Sequence, residues 1–314
     1  MKSPRTTLRR RQATALFAAG AIGLSLAACG SDSGDGGDGD GGDGGEGGGG
    51  GTITLGYLPS WTDGLSTAFL LDHFLTEAGY EVEHEELTEA GILYTALAQG
   101  DVDVYPSAWP EVTHASYMEE YGDSIEDLAT YYDGAVLTFA VPEYSEITSI
   151  DELPDHVDEL GGRVVGIEPS AGLTGVTEDS VFPTYGLGDA GFTLETSSTS
   201  TMLTELESAI DAEEEIVVTL WRPFWANDAY PVRDLEDPEG ALGETEGLHF
   251  LSNLDFSGEF PEVAEWISQI SLDDAQYGAM EEAVVVDHEG DPAAGIEQFL
   301  EENPDVIPEL PAAE

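Results

Sequence analysis

The chain has 314 residues, 65 of them acidic and eight basic, for a formal net charge of −57. Five of the basic residues precede Cys29 and every acid follows it, so the rest of the chain holds only Arg163, Arg222 and Arg233. That balance excludes nucleic acid as a partner, because phosphate binding needs a basic surface, and an anionic membrane surface would repel the chain. At about 1 M salt the Debye length falls to about 3 Å and most self-repulsion is screened. The composition therefore predicts a halophilic setting and a fold that gains stability from salt.

In chain order, residues 1–28 read as a signal peptide, with a basic start, a short apolar run and small residues before the only cysteine. Leu26-Ala27-Ala28-Cys29 looks like a bacterial lipoprotein box, which implies acylation of Cys29 and a membrane contact through the lipid. Residues 29–51 carry no apolar side chain after Cys29 and read as a disordered Gly/Asp tether. The spaced aspartates Asp38 and Asp40 do not make a calcium loop, since Gly42 stands where a ligand belongs.

From Thr52 on, strands alternate with helices. TITLGYLP alternates Ile53, Leu55 and Tyr57 as a strand, and GLSTAFLLDHFLTEAGY repeats apolar residues at helical spacing up to Gly79. EVEHEEL is a second strand, EAGILYTALAQG a second helix, and DVDVYPS a third strand. AVLTFAVPEY is a longer apolar run, suited to cross between lobes. GGRVVGIEPSAGLTG reads as strand, turn and helix start; TSTMLTELESAIDAEEE as a helix; IVVTL as a strand; and the tail as mainly helical. This order predicts an α/β fold with mostly parallel sheets.

Trp61, Trp109 and Trp221 each stand at or just beyond the carboxyl end of one of these strands, the edge at which open α/β sheets bind ligands. Three converging indoles make a cage for quaternary ammonium, each desolvated ring contributing about 2 kcal/mol. The competing reading is hinge or core packing. Trp266 illustrates it, sharing one helical stripe with Val263, Ile267 and Ile270. Trp225 and Tyr57 read either as packing behind the cage or as further walls. A ligand that also carries a carboxylate needs donors. The helix start at Gly64 and Leu65 offers free amides, Ser170 to Leu173 offers another set, and Arg222 offers a bidentate contact unless it is an ion pair. The six histidines have no metal-binding spacing, Cys29 is taken by the anchor, and no nucleophile motif appears. No enzyme, metal or cofactor is expected.

The segments LGYLPSWTDGLSTAFLL, ALAQGDVDVYPSAWPEVTHASYMEEYGD, VGIEPSAGLT, SSTSTMLTELESAI and VVTLWRPFWANDAYPVRDLEDPEG resemble substrate-binding proteins of ABC transporters for glycine betaine and related osmolytes. The resemblance covers Thr52 to Pro304. It implies a two-lobe periplasmic-binding-protein type II fold, each lobe a mostly parallel sheet flanked by helices, joined by crossing strands. Lobe 1 would be residues 52–140 plus 245–314 and lobe 2 residues 141–244. It further implies a monomer that closes on its ligand, with Trp61, Trp109 and Trp221 at the family's aromatic positions. The chain would act in osmoprotection at the outer face of the cytoplasmic membrane, serving a permease and its ATPase. Relatives read Gly-Trp-x-Pro-His-Trp where this chain reads Leu220-Trp221-Arg222-Pro223-Phe224-Trp225. The carboxylate half of the site therefore departs from the pattern, and glycine betaine, choline, carnitine and proline betaine remain open as ligands. The Thr113-His114 pair matches a family motif without an assigned role.

Overall fold

A computed structural model describes residues 50–313. The signal peptide, Cys29 and most of the tether lie outside the described residues. Among the described residues no helix is long and apolar enough to cross a membrane.

The chain opens with β1 (Thr52–Tyr57), α1 (Thr62–Ala78), β2 (Glu81–Glu86), α2 (Ala90–Gln99), β3 (Val104–Ala108) and α3 (Ala115–Tyr121). Gly79 and Gly100, both at positive φ, end α1 and α2 by turning their amides back onto the last carbonyls. A long strand, β4 (Ile125–Pro142), then leads to β5 (Arg163–Val165) and three short helices, α4 (Gly172–Val176), α5 (Phe182–Tyr185) and α6 (Leu187–Ala190). They are followed by β6 (Thr193–Glu195), α7 (Thr199–Ala212), β7 (Val218–Arg222), α8 (Ala226–Ala229), β8 (Val232–Asp234) and β9 (Glu246–Asn253). The tail carries α9 (Phe256–Glu259), α10 (Pro261–Ile267), α11 (Asp274–Glu281) and α12 (Pro292–Glu302).

The strands run in the order β2-β1-β3-β9-β4-β7-β5-β6, with β8 also on β4. Pairings at both outer ends, β1 with β2 and β3, and β5 with β6 and β7, are parallel. Every antiparallel pairing involves β4 or β9. β4 holds the sheet together by changing partner along its length. Ile125 to Ala135 pair with β9, and Val136 to Ala140 pair with β7. The apolar crossing run expected from Ala135 is thus the second half of a strand that starts ten residues earlier.

β9 was not foreseen, although all eight of its residues are buried. Its polar residues conceal it, and each finds a partner. Glu246 takes the amides of Val112 and Thr113, His249 sits between Asp127 and Glu111, and Asn253 donates to Asp103. Trp266 is core, 2 % exposed, with its indole N–H on the Pro308 carbonyl at 2.7 Å.

Candidate functional site

β1 and β3 run toward the middle of β4 from one side and β7 runs toward it from the other, so the residues that follow or close them meet in one cleft. It holds about 340 Å³ of empty space, the open mouth included, and Trp61, Trp109 and Trp221 all line it. Leu137, which pairs with Trp221 across β4 and β7, adds an apolar side, and Ile167 adds another. All three indoles are at least nine-tenths buried.

Each ring is held by a partner of its own. Trp221 stacks on Phe224, centroids 4.1 Å apart and planes 25° from parallel. Trp109 gives its indole N–H to Asp63 Oδ2 at 3.0 Å. Trp61 gives its own to Glu168 Oε2 at 3.2 Å and stacks against the His114 ring at 6.1 Å. Rings fixed this way lose little further freedom when a ligand enters, which preserves more of their attraction for binding.

Among the described residues Asp63 is the one acid lining the cleft. Its Oδ2 also accepts from Ser107 Oγ at 2.7 Å, and Ser107 in turn meets the Tyr131 hydroxyl at 2.8 Å. Burial raises the Asp63 pKa, and the bonds from Ser107 and Trp109 offset only part of that rise. His114 shares the cleft. Its Nδ1 accepts the backbone N–H of Trp109 at 3.1 Å, with the Tyr94 hydroxyl 3.0 Å from the same nitrogen. A backbone amide only donates, so a neutral ring carries its proton on Nε2. Burial pushes the His114 pKa down to about 3, which keeps the ring neutral. Among the described residues Nε2 bonds no protein acceptor, leaving one N–H for a ligand at the cleft.

Among the described residues no arginine lines this cleft. Arg222 had been weighed as an anion contact, but its Nε donates to Asp234 and its side chain borders a second crevice with Trp225. In β7 consecutive side chains point to opposite faces, so Trp221 turns toward the cleft and Arg222 away from it. The amides at Gly64 and Leu65 were likewise expected to receive an anion. The Leu65 amide is instead taken by the Trp61 carbonyl at 3.1 Å, and neither residue lines the cleft. Tyr57 is fully buried beneath, its hydroxyl 3.1 Å from His84 Nδ1. Asp63, His114 and Glu168 were not picked out as site residues. In so acidic a chain a carboxylate carries no signal until its burial is known, whereas His114 carries one, the match of Thr113-His114 to a family motif.

Chemically, the cleft offers aromatic faces, one carboxylate, the neutral His114 N–H and, from the Ser170–Leu173 set, the backbone of Ala171, Gly172 and Leu173 at the start of α4. That set suits a cation without N–H groups of its own, because ring faces attract charge without needing a hydrogen bond.

The model for the substrate-binding domain of ABC-type glycine betaine transport systems matches residues 51–302. The chain is 27% identical over 160 residues to the glycine betaine/carnitine transport binding protein GbuC of Listeria monocytogenes, an alignment spanning 50% of this chain and only 51% of that protein. Among solved structures it resembles the glycine/betaine/L-proline-binding protein ProX of Borrelia burgdorferi (TM-score 0.73, 29% identity, 82% of this chain and 97% of that one). It also resembles lactococcal OpuAC in its closed form with glycine betaine (TM-score 0.72, 26% identity, 80% and 95%).

Proposed function

Since the chain belongs to the substrate-binding domains of ABC-type glycine betaine transport systems, a family of extracytoplasmic binding proteins and not of enzymes, we propose that it captures a quaternary-ammonium solute between two lobes and delivers it to a permease driven by an ATPase. The observation that carries this reading is the convergence of Trp61, Trp109 and Trp221 on one small cleft. A micromolar Kd corresponds to about −8 kcal/mol. Three desolvated rings at about 2 kcal/mol each supply most of it, and polar contacts and closure supply the remainder.

Glycine betaine is the first ligand in this reading, its methyl groups against the rings and its carboxylate on the His114 Nε2–H. One observation favours choline as a second reading. Among the described residues one acid, Asp63, and no lysine or arginine line the cleft, an arrangement that suits a ligand of net positive charge. Calorimetric titration of glycine betaine, choline, carnitine and proline betaine in molar salt tests both. Saturable binding of at least one supports the function, and binding of none removes it.

In the same proposal lobe 1 comprises 52–140 plus 245–314 and lobe 2 comprises 141–244. The change of partner along β4 at Ala135–Val136 supports a crossing close to that boundary. The leader and Leu26-Ala27-Ala28-Cys29 support export and lipid anchoring at the outer face of the cytoplasmic membrane. The excess of acid supports work in high salt, which suits uptake of an osmoprotectant.

A further inference from the structure

Glu168 stands in the turn between β5 and α4, and it is 5 % exposed. Burying a carboxylate is costly unless its oxygens are satisfied, and this one takes four donors from two sides. Thr199, at the start of α7, gives its backbone N–H to Oε1 at 2.9 Å and its hydroxyl to Oε2 at 2.8 Å. Trp61 and Ser60, which follow β1 in the other half of the sheet, give the indole N–H to Oε2 at 3.2 Å and a hydroxyl to Oε1 at 3.4 Å.

The same turn touches that other half twice more. Ser170 Oγ accepts the backbone N–H of Ala90 at 3.1 Å, capping α2 from outside its own segment, and Tyr117 donates to the Ser170 carbonyl at 2.6 Å. At Gly172 a Cβ would fall 1.8 Å from the Thr113 carbonyl oxygen, so only glycine permits this approach. Glu168, Ser170 and Gly172 thus form one strip along which the β5–α4 turn meets the β1–β3 half.

We propose that Glu168 is a positioning residue that ties the Trp61 wall of the cage to the opposite half of the cleft. Thr199 holds the carboxylate in place, and the carboxylate fixes the indole. The inference rests on the cation-cage reading. Its consequence is that Glu168 sets how long a ligand is retained, although it does not line the cleft itself. A Trp61 ring released from Glu168 must be ordered again at each binding event, which weakens affinity without removing a ring.

The test is a double-mutant cycle. Glu168→Gln keeps the shape and can still accept from Thr199, but it turns an amide N–H₂ toward Trp61. Trp61→Phe keeps an aromatic ring and removes its N–H. Each single change is expected to raise the Kd for glycine betaine and choline about tenfold, mainly by faster release, and the double variant to be at most about twofold worse than the weaker single. A double variant weakened by the product of the two effects, about 100-fold, overturns the proposal. Glu168→Asp, which retains the charge and retreats from Trp61, enters the same cycle if Glu168→Gln lowers the folded yield. A second arm needs no ligand. The indole N–H resonance of Trp61, assigned by its loss in Trp61→Phe, should exchange at least about fivefold faster with solvent in Glu168→Gln than in the wild type. Equal exchange rates overturn the proposal. A wild type that binds neither ligand refutes the cage reading alone, and the exchange rates still decide the contact.

Discussion

Two aromatic crevices lie on either side of the Trp221–Phe224 stack, and they differ in what they can do. The first has about 340 Å³ of empty space, three buried indoles and a single carboxylate. The second has about 1340 Å³ and is walled by Tyr132, Phe224, Trp225 and Tyr277, with Asp228, Asp274, Glu281 and Glu282 among them. Both are rich in rings and acid, so neither property defines a cation cage. Buried convergence does. A ring attracts a cation strongly only where water is excluded, and the first crevice gathers three buried indoles on one small space, whereas the indole of the second, Trp225, is partly exposed.

The largest expected effect sharpens this contrast directly. Trp221→Ala should raise the Kd for the bound solute at least about tenfold by calorimetry; an unchanged Kd would take Trp221 out of the site. Asp63→Asn comes next. It should weaken choline about fivefold to tenfold more than glycine betaine, because only the first carries net charge, while any loosening of the Trp109 ring falls on both. Equal losses for both would assign Asp63 a purely structural role.

A pH experiment addresses the border between the crevices. Glu281 lines the second one and accepts from Thr62, the neighbour of Trp61, at 2.9 Å. Burial first, and then the charge of Asp63, raise its pKa to about 8. An acid whose pKa is higher folded than unfolded contributes stability below its ordinary 4.5, and that stability is lost as pH rises toward 8. Glu281→Gln should therefore flatten the fall of melting temperature between pH 5 and 8 measured in molar salt. An unaltered pH profile would show that Glu281 titrates normally. The smallest effects belong to the second crevice itself. Trp225→Ala and Arg222→Ala should each change either Kd by less than about threefold, and a selective loss of glycine betaine in Arg222→Ala would return the guanidinium to the carboxylate half of the site.

Strand and helix alternation made most of the α/β framework legible, along with the strand-end positions of Trp61, Trp109 and Trp221. What it left out depends on distant partners. β9 lies between β3 and β4, and its polar side chains are paired by residues more than a hundred positions away, so no local pattern marks it. The segment VTLWRPFWAND leaves Trp225 open as packing or as a further wall, and only strand alternation and the turn after Arg222 send it to a different crevice from Trp221. Asp63 is one acid among 65 until its burial and its bonds to Ser107 and Trp109 set it apart. Glu168 is hidden for the same reason. Its partners Trp61 and Thr199 are 107 and 31 residues away, a distance only the folded chain closes.

The central claim is that the first cleft recognises positive charge carried on methyl groups, and one comparison of ligands tests it most directly. Choline and its uncharged carbon isostere, 3,3-dimethylbutanol, have nearly the same shape. Titrated calorimetrically into the wild-type protein in molar salt, choline should bind at least about tenfold more tightly, because only the cation gains from the rings and from Asp63. Equal affinity for the two would contradict the claim and leave an apolar pocket in place of a cage.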